Sequence, residues 1–408
     1  MVVARRARDR AGVNRAEMTP PLDALIAGAG TTGLALALQA HDRGARVRII
    51  ERRAEAFRPT RALMMHPRTL EVVLADLDLA DVDHDGSLAP DVAHVVVDRR
   101  GLLFLFALGE RAPWRMLATR RSRPSDQPFG QPGHAVPQSE LQGMLQAAGL
   151  TARVTEVAWS ARVALQHRLA EHFRARRLFL VGDAAHAHSL AGGQGMNVGI
   201  QDAVNLGWKL ALAARAADSA REPQTLLDSY EEERRPVDRR IFALTHLLFW
   251  AESGTGPVTS LGRGIAAVLG APVLPVLLRQ RRLASRGLGM LSQLGARYRH
   301  SPLSMQNAPR RLPLRAGDRL PDGTVVTRGG RVRLHELTEP SGIHVLLQAD
   351  AVWAGTVGDL GPLVHTHRIS NWRGRGLVVV RPDGYIGLRS AVADEHRLRD
   401  WLALVGVE

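Results

Sequence analysis

Residues 180–211 read LVGDAAHAHSLAGGQGMNVGIQDAVNLGWKLA and combine three features within a short span. An apolar run ends at Gly182 and Asp183, glycines cluster at 192–195, and apolar residues then recur at helical spacing over 197–215. The first turn of a helix presents unpaired N–H groups to an anion, and glycines let a ligand approach the backbone. The stretch therefore predicts a buried strand, a ligand-contacting loop and a helix whose N-terminus faces an anionic group.

A second glycine motif lies near the start of the chain. An apolar run at 22–27 leads into GAGTTG at 28–33, and the next residues follow a helical pattern that ends at Gly44. A further apolar run at 46–50 ends at Glu51. The order of strand, glycine turn, helix and strand is the start of a dinucleotide-binding βαβ unit.

Each residue of this motif has its own task in dinucleotide binding. Gly28 allows the tight turn, Gly30 lets a pyrophosphate approach the backbone, and Gly33 lets the helix pack closely on the strand. Glu51 is placed to accept a hydrogen bond from a ribose hydroxyl. The motif predicts a bound dinucleotide, and the alternative is a glycine-rich turn without a ligand.

The composition excludes several classes of protein. The chain has 408 residues, no Cys and a formal net charge of +14, and Lys209 is its only lysine. Without Cys, the chain has no disulfide, thiolate metal site or Cys nucleophile. No uncharged apolar run is long enough to cross a bilayer, and the Arg residues are spread through every segment with few aromatics among them. We therefore expect a cytoplasmic protein without a nucleic-acid or membrane partner.

The segment RPTRALMMHPRTLEVVLADL, 58–77, predicts a helix that begins near Pro67. Arg58, Arg61 and Arg68 flank this helix. They either face phosphates or an acidic substrate, or they are solvated charges, and the sequence leaves both interpretations open.

Alternation of apolar and polar residues predicts antiparallel strands over 91–119 and a further extended segment over 154–165. Helical periodicity recurs over 224–250, where Pro236 is expected to kink or break the helix. After residue 305 the pattern returns to strands, and a helix closes the chain at 394–404.

These motifs resemble those of the class A flavoprotein monooxygenases, and most closely the aromatic-ring hydroxylases of phenols, aromatic polyketides and tetracyclines. The resemblance rests on GAGTTG with Glu51, on the long stretch at 180–211, and on RPTRALMMHPRTLEV, SYEEERRPVDRRI and the tail GLVVVRPDGYIGLR. It implies an α/β fold, with a Rossmann-like FAD-binding domain, an inserted antiparallel β-sheet substrate domain and a C-terminal thioredoxin-like domain.

The resemblance also implies how the chain is divided. The expected parts are a disordered extension at 1–21, a first FAD-binding part at 22–90, a shortened substrate-binding sheet at 91–175, a second FAD-binding part with a helical region at 176–304, and the thioredoxin-like domain at 305–408. Met18 is an alternative start of the chain. A thioredoxin-like domain without Cys cannot perform thiol redox chemistry, so packing or oligomerisation is its expected role.

In this family the βαβ unit binds the ADP half of FAD, the Gly-Asp pair binds the ribityl chain, and the glycine loop with the helix start contacts the isoalloxazine ring. The implied FAD-binding residues are Gly28, Gly30, Gly33, Glu51, Arg52, Arg61, Gly182, Asp183, Gly193, Gly195, Met196 and Asn197. No metal and no catalytic side chain are expected, because the flavin supplies the chemistry. The alternative of a metal or acid/base cluster formed by Asp183, His186 and His188 would leave the glycine loop without a role.

The implied activity is hydroxylation of a phenolic or polyketide aromatic, with NADPH or NADH and O2, through a flavin C4a-hydroperoxide. The expected partners are that small aromatic substrate, O2 and a second copy in a homodimer. The substrate would lie between the strands of 92–165 and the flavin ring. Leu103, Phe104, Phe106, Trp114 and Met116 are the candidate lining residues, and their alternation lets only half of them face a ligand.

The chain departs from the family pattern at two places. Residues 74–91 replace a longer family segment that carries an Asp-Gly motif, and we interpret Asp85-Gly86 as a turn. Leu190 stands where the family usually has Pro. Loss of strands would expose apolar surface on the βαβ unit. The alternative hypothesis is therefore a catalytically inactive, internally deleted relative that binds a ligand or partner without turnover.

Overall fold

The computed structural model describes most of the chain. The described residues are 2–4, 22–53, 70–80, 82, 88–89, 93–97, 102–108, 114–121, 134–164, 168–187, 195–216, 223–253, 293, 295–309, 314–339, 341–348, 360–371 and 376–407. Three five-stranded sheets form the framework of this part of the chain.

The first sheet contains the βαβ unit. Its strands are β1 (Val2–Ala4), β2 (Ala24–Ala27), β3 (Val47–Ile50), β10 (Arg174–Ala175) and β11 (Leu178–Phe179), in the order β10-β11-β1-β2-β3. β2 and β3 are parallel, and helix α1 (Thr31–His41) connects them as the glycine motif predicts. Helix α3 (Gly195–Ala216) shares an apolar core with α1 and this sheet.

The prediction that residues 1–21 form a disordered extension is wrong for Val2–Ala4. This strand pairs with β11 on one side and with β2 on the other, antiparallel to both. Two paired neighbours satisfy its backbone groups, and β-branched Val suits an extended chain. Residues 5–21, with Met18, lie outside the described residues.

Apolar side chains cover part of the outer surface of the βαβ unit. Leu34 and Leu38 of α1 are 47% and 59% exposed, and Ile50 at the end of β3 is 49% exposed. Among the described residues, β3 is one of the two edge strands of its sheet. Loss of strands would leave exposed apolar surface of this kind on the βαβ unit.

The second sheet is antiparallel throughout. Its strands are β4 (Leu70–Ala80), β5 (His94–Val97), β6 (Leu102–Ala107), β7 (Trp114–Arg121) and β8 (Arg153–Ala164), in the order β5-β6-β7-β4-β8. Helix α2 (Gln138–Ala147) packs on one face, where its Leu141 and Leu145 join the core formed by the strands. The strands predicted at 91–119 and 154–165 are confirmed.

The helix predicted from Pro67 is wrong. Leu70–Ala80 is instead β4, which hydrogen-bonds to both β7 and β8. Val73, Ala75 and Leu77 are fully buried in the core with α2, at the period of two that a strand requires. The predicted boundary at residue 90 is therefore also wrong, because this strand belongs to the antiparallel sheet.

The third sheet lies near the C-terminus. Its strands are β13 (Met305–Asn307), β16 (Ile343–Gln348), β17 (Val364–Ile369), β18 (Leu377–Val380) and β19 (Ile386–Ser390), in the order β13-β19-β18-β16-β17. β16 and β17 are parallel, whereas β18 is antiparallel to both β16 and β19. Helix α6 (Glu395–Leu404) follows, with Asp394 as its N-cap. This order of strands and closing helix agrees with the thioredoxin-like topology that the resemblance implied.

Shorter elements connect the sheets. They are the strand pair β9 (Arg168–Leu169) and β12 (His186–Ala187), the hairpin β14 (Thr324–Thr327) and β15 (Gly330–Arg333), and helix α5 (Leu334–Leu337). Helix α4 (Gln224–Ser253) continues through Pro236, so Pro236 does not break the helix, and a kink there stays a prediction. No helix in the described ranges has the length and hydropathy needed to cross a bilayer.

The C-terminal domain and the central helices share one apolar core. Trp208 and Leu212 of α3 and Leu226 of α4 lie in it with side chains from β16, β18 and α6. Trp401 of α6 is fully buried there, and its Nε1 donates to the Leu303 carbonyl at 2.9 Å. The third sheet is thus docked on the helix that begins at the glycine-rich loop.

Candidate functional site

The turn at 28–33 has the backbone geometry that its sequence predicts. Gly28 has a φ of +111°, which L side chains rarely adopt, and its N–H donates to the Ile50 carbonyl at 2.8 Å. No atom lies within 4 Å of the position that a Cβ would take at Gly28 or Gly30. At Gly33 that position lies 2.0 Å from the Gly28 carbonyl oxygen. The turn is therefore open to a ligand on one side and closely packed on the other.

Glu51 lies beside this turn. Its Oε2 accepts a hydrogen bond from the Ala29 N–H at 2.9 Å, and its Oε1 accepts one from the Arg53 N–H at 3.0 Å. These two backbone donors hold the pKa of the exposed Glu51 carboxyl below its usual value, and the Arg53 N–H has the larger effect. The carboxylate is thus ionised and oriented at the turn, with lone pairs left for further donors. Arg52 is exposed beside it, whereas Arg61 lies outside the described residues.

Thr32 brings three predicted elements together. A Cβ at Gly182 would lie 2.6 Å from Thr32 Oγ1, and a Cβ at Gly199 would lie 2.2 Å from the same oxygen. Gly182 begins a 3-10 turn at Gly182–Ala184, and Gly199 lies in the second turn of α3. The GAGTTG motif, the Gly-Asp pair and the start of α3 therefore meet at one place.

This contact predicts a compensating pair of substitutions. Gly199→Ala is expected to lower the free energy of unfolding by about 1–3 kcal/mol, because its methyl group overlaps Thr32 Oγ1. Adding Thr32→Ala removes that oxygen and should recover part of the loss, as measured by urea denaturation of both single variants and the double variant. Strictly additive losses would contradict the contact.

The other predicted residues of this region are accessible to solvent. Asp183 is exposed in the 3-10 turn, and Met196 and Asn197 are exposed in the first turn of α3 beside the half-buried Gly195. Gly193 lies outside the described residues. Because α1 and α3 both begin close to Thr32, two helix N-termini with unpaired N–H groups lie near each other at the glycine turn.

A buried group of charged side chains supports the 3-10 turn from inside the protein. Asp202 of α3 is 0% exposed; its Oδ2 accepts the Gly182 N–H at 3.0 Å and lies 2.7 Å from His186 Nε2. Its Oδ1 accepts a hydrogen bond from Arg234 Nε at 2.6 Å. Arg234, on α4, also donates to Asp238 Oδ1 at 3.0 Å. We call His186, Asp202, Arg234 and Asp238 the Asp202 cluster.

The charges within the Asp202 cluster balance each other. Burial opposes the charge on His186, but the carboxylates of Asp202 and Asp238 outweigh it and raise the pKa of His186 to about 9. Burial raises the pKa of Asp238 to about 7 against the opposing effect of Arg234. Ligand atoms of His186, Asp202 and Asp238 lie within 4.8 Å of one another, which a metal ion could use. Arg234 and protonated His186 already neutralise both carboxylates, so we interpret the cluster as an ion-pair network.

The alternative of a metal or acid/base site at Asp183, His186 and His188 is not supported. Asp183 is exposed, whereas His186 is buried against Asp202. His188 lies outside the described residues.

The raised pKa of His186 predicts how stability depends on pH. Its folded-state pKa of about 9 exceeds the ordinary 6.5, so the stabilisation is complete below pH 6.5 and is lost as pH rises through 9. His186→Gln should therefore cost about 3 kcal/mol more at pH 6 than at pH 9.5. The difference between wild type and variant is the quantity to measure, by urea denaturation at both pH values. Lys209 also titrates in this pH range, in the wild type and in the variant alike. Burial lowers the pKa of Lys209 to about 8, and the neighbouring Glu233 carboxylate opposes this shift. If His186→Gln lowered the free energy of unfolding equally at both pH values, the raised pKa of His186 would be contradicted.

A second buried group joins α3 and α4 to the C-terminal domain. Glu233 of α4 accepts hydrogen bonds from Asn205 Nδ2 at 2.7 Å, from Lys209 Nζ at 2.8 Å, and from Arg381 Nη1 and Nη2 at 2.6 and 2.8 Å. Arg381, in the loop between β18 and β19, also donates through Nε to Asp383 Oδ1 at 3.0 Å. We call these five residues the Glu233 cluster.

Aromatic rings surround the guanidinium of Arg381. It lies 5.2 Å from the ring centroid of Trp208 and 5.6 Å from that of Tyr298. The Tyr298 hydroxyl accepts a hydrogen bond from Arg234 Nη1 at 3.1 Å. The two clusters are therefore connected, and a continuous buried network runs from the Gly182 turn to the C-terminal domain.

The antiparallel sheet separates the predicted substrate-lining residues into two sets. Leu103, Trp114 and Met116 are buried in the core with α2. Phe104 and Phe106 alternate with them and point to the opposite face, where both are half-buried. The first set is therefore core, and the second set faces away from that core.

Sequence reasoning named His186, as a member of the alternative metal or acid/base cluster, and missed the other residues of both buried clusters. Asp202 and Glu233 interrupt apolar helical faces, and charged residues at such positions are rare unless paired. Their partners are far away in sequence, since Glu233 and Arg381 are 148 residues apart. The charged residue on a buried helical face was the available signal, but the sequence does not identify its partner.

Comparisons with known proteins agree with this geometry. A family model described as FAD binding domain matches residues 21–146 and 136–245, and one described as aromatic-ring hydroxylase, C-terminal, matches 314–405. The chain is 33% identical over 238 residues to a flavin-dependent monooxygenase of Mycobacteroides abscessus, covering 57% of this chain and 41% of that protein. It is 33% identical over 270 residues to a 12-dehydrotetracycline 5-monooxygenase/anhydrotetracycline 6-monooxygenase of Streptomyces rimosus, covering 64% of this chain and 49% of that protein.

The fold has a similar counterpart among solved structures. An anhydrotetracycline hydroxylase from Streptomyces rimosus superposes with a TM-score of 0.70 at 21% identity, covering 94% of this chain and 98% of that chain. The curated relatives, by contrast, are matched over less than half of their length.

Proposed function

Because this chain belongs to the FAD-binding family of aromatic-ring hydroxylases, we propose that it is an FAD-dependent monooxygenase that hydroxylates an aromatic substrate with NAD(P)H and O2. The observation that carries the proposal is the meeting of the glycine turn, the Gly182 turn and the start of α3 at Thr32. One extended cofactor can contact all three elements only if they are adjacent.

The residues at this place fit FAD. The open space at Gly28 and Gly30 admits a pyrophosphate, and the N-terminus of α1 favours its negative charge. The ionised carboxylate of Glu51 is placed to accept a ribose hydroxyl, and exposed Asp183 is placed to accept hydroxyls of the ribityl chain. When bound, FAD would take a hydride from the nicotinamide nucleotide and activate O2.

The start of α3 has a separate task in this proposal. Gly195, Met196 and Asn197 form its first turn, where N–H groups lack helical partners. These groups stabilise negative charge on a ring system placed against them. The residues proposed to hold FAD are thus those predicted from the sequence that lie within the described ranges, including Arg52 beside Glu51.

We place the substrate on the face of the antiparallel sheet that carries Phe104 and Phe106. These half-buried rings suit a planar aromatic molecule. Arg115 and Asp76 form a paired, largely buried ion pair on the same face, with Nε–Oδ1 at 2.7 Å. A phenolic or polyketide aromatic is the proposed substrate class, since the two curated relatives named above include a tetracycline monooxygenase.

The first experiment is a count of bound flavin. Purified protein should carry close to one FAD per chain, released by denaturation and quantified by absorbance. It should then oxidise NADPH or NADH faster in the presence of a phenolic or tetracyclic substrate, and the product should gain one oxygen atom by mass spectrometry. A protein that binds FAD but forms no product with such substrates would be the non-catalytic relative. A protein that takes up no FAD would overturn the proposal.

The proposal includes a homodimer that acts in the cytoplasm, where nicotinamide nucleotides are reduced. Exposed Leu34 and Leu38 on α1 offer apolar surface for a second copy. Light scattering during gel filtration would decide between monomer and dimer.

A further inference from the structure

The Gly182 N–H points into the protein, towards Asp202, and not towards the exposed side of the turn. We propose that Asp202 is a positioning residue for FAD, which holds the Gly182–Asp183 turn so that the Asp183 carboxylate faces the ribityl chain. This inference rests on the proposed binding of FAD. It concerns a residue that would touch no part of the cofactor.

The turn is held from two sides. Gly182 has a φ of +59° and packs against the side chain of Thr32, which leaves no space for a Cβ. On the other side its N–H donates to Asp202 Oδ2 at 3.0 Å. Asp183, the next residue, is exposed. The position of the exposed carboxylate is therefore set by the buried one.

The orientation of Asp202 is itself fixed. Arg234 Nε donates to Oδ1 at 2.6 Å, and His186 Nε2 lies 2.7 Å from Oδ2. Both oxygens thus face donors: Gly182 and His186 on one side and Arg234 on the other. An amide at this position has only one oxygen, so its NH2 group must face one of these sets of donors.

Two ligands separate a positioning role from a merely structural one. ADP can reach the GAGTTG turn and Glu51 but has no ribityl chain, whereas FAD reaches Asp183 as well. If Asp202 positions the turn, its substitution weakens the binding of FAD and leaves the binding of ADP unchanged. If Asp202 only supports the fold, its substitution weakens the binding of both ligands or of neither.

The test is Asp202→Asn, with FAD and ADP affinities measured by titration calorimetry. The fold is expected to survive, because His186 can release its proton while Asp238 keeps Arg234 paired. The FAD dissociation constant should rise about tenfold or more, and the ADP dissociation constant should change by less than about twofold. The visible spectrum of bound FAD should shift as well, since the ring follows the ribityl chain.

Asp238→Asn is the matched control. Asp238 bonds the same Arg234 but is not a partner of Gly182, so the ratio of FAD to ADP affinity should stay within about twofold of wild type. Asp202→Glu keeps every charge and displaces the carboxylate by one methylene. If the Asn variant does not fold, Asp202→Glu takes its place in the test. It should show the same selective loss of FAD affinity.

Three results would overturn the inference. They are a parallel loss of FAD and ADP in the Asp202 variants, unchanged affinity for both ligands, and an equally selective loss of FAD in Asp238→Asn. Failure of the proposed function gives a different result, namely a wild-type protein that binds ADP and not FAD.

Discussion

Arg381→Met is expected to lower the free energy of unfolding by about 3–5 kcal/mol, the typical result of removing one partner of a buried ion pair. Arg381 is 1% exposed and donates to both Glu233 and Asp383. Its loss leaves two buried carboxylates with only part of their hydrogen bonds. Met fills a similar volume, so the effect reports charge and hydrogen bonding more than a cavity.

The loss of stability in Arg381→Met should be concentrated at the junction of α3, α4 and the C-terminal domain. The Arg381 guanidinium lies 5.2 Å from the ring centroid of Trp208. The Nε1 of Trp208 donates to Asp383 Oδ2 at 3.2 Å. Urea denaturation followed by tryptophan fluorescence measures this loss, and Trp208, one of seven tryptophans, contributes to the signal. Limited proteolysis should release the C-terminal domain from the variant earlier than from the wild type.

Arg399→Met is the control for Arg381→Met. Arg399 lies on α6 of the same domain, and its Nη2 pairs with Glu395 at 2.9 Å on the surface. An exposed pair of this kind contributes at most about 0.5 kcal/mol. If both variants lost less than about 1 kcal/mol, the buried network would not be what holds the domain.

Gly33→Ala is expected to weaken FAD binding about 100-fold or more, equivalent to about 2.7 kcal/mol. The new Cβ would lie 2.0 Å from the Gly28 carbonyl oxygen and 3.1 Å from its carbonyl carbon. Both atoms belong to the backbone, so α1 or the turn must move. That movement displaces the N–H groups proposed to bind the pyrophosphate. Titration calorimetry with FAD and with ADP should show a comparable loss for both ligands, in contrast to the Asp202 variants.

Gly143→Ala provides a matched glycine. Gly143 is exposed within α2, and no atom lies within 4 Å of its Cβ position. The same substitution there should raise the free energy of unfolding by about 0.5–1 kcal/mol, because Ala is the better helix former. FAD affinity should not change. A Gly33→Ala protein with wild-type affinity would show that the turn is not the cofactor site.

The βαβ unit could be predicted from sequence because its signals are local. The glycine pattern, the apolar runs on either side and Glu51 all lie within 30 residues, and each acts on its own neighbours. β4 was predicted wrongly because Leu, Glu and Ala favour a helix, while the decisive partners, β7 and β8, lie about 40 to 90 residues away in sequence. Tertiary pairing overrode local propensity there.

The candidate site shows the same division. Residues proposed to touch the cofactor lie in recognisable motifs, so Gly28, Glu51 and Asp183 could be named before the fold was known. Asp202 lies in an ordinary helical pattern, and its task depends on a turn 20 residues earlier and an arginine 32 residues later. The short strand Val2–Ala4 carries too few residues for a periodic signal.

Lys209 gives this protein an unusual chemical property. It is the only side-chain amine of the chain, and it is 0% exposed between Glu233 and Asn205. Acylating reagents that label lysines should therefore leave the side-chain amine of the folded protein unmodified. Lys209 becomes reactive only when α3, α4 and the loop containing Arg381 separate. The rate at which mass spectrometry detects a labelled Lys209 is then a direct record of how often this junction opens, without a fluorophore or an engineered residue.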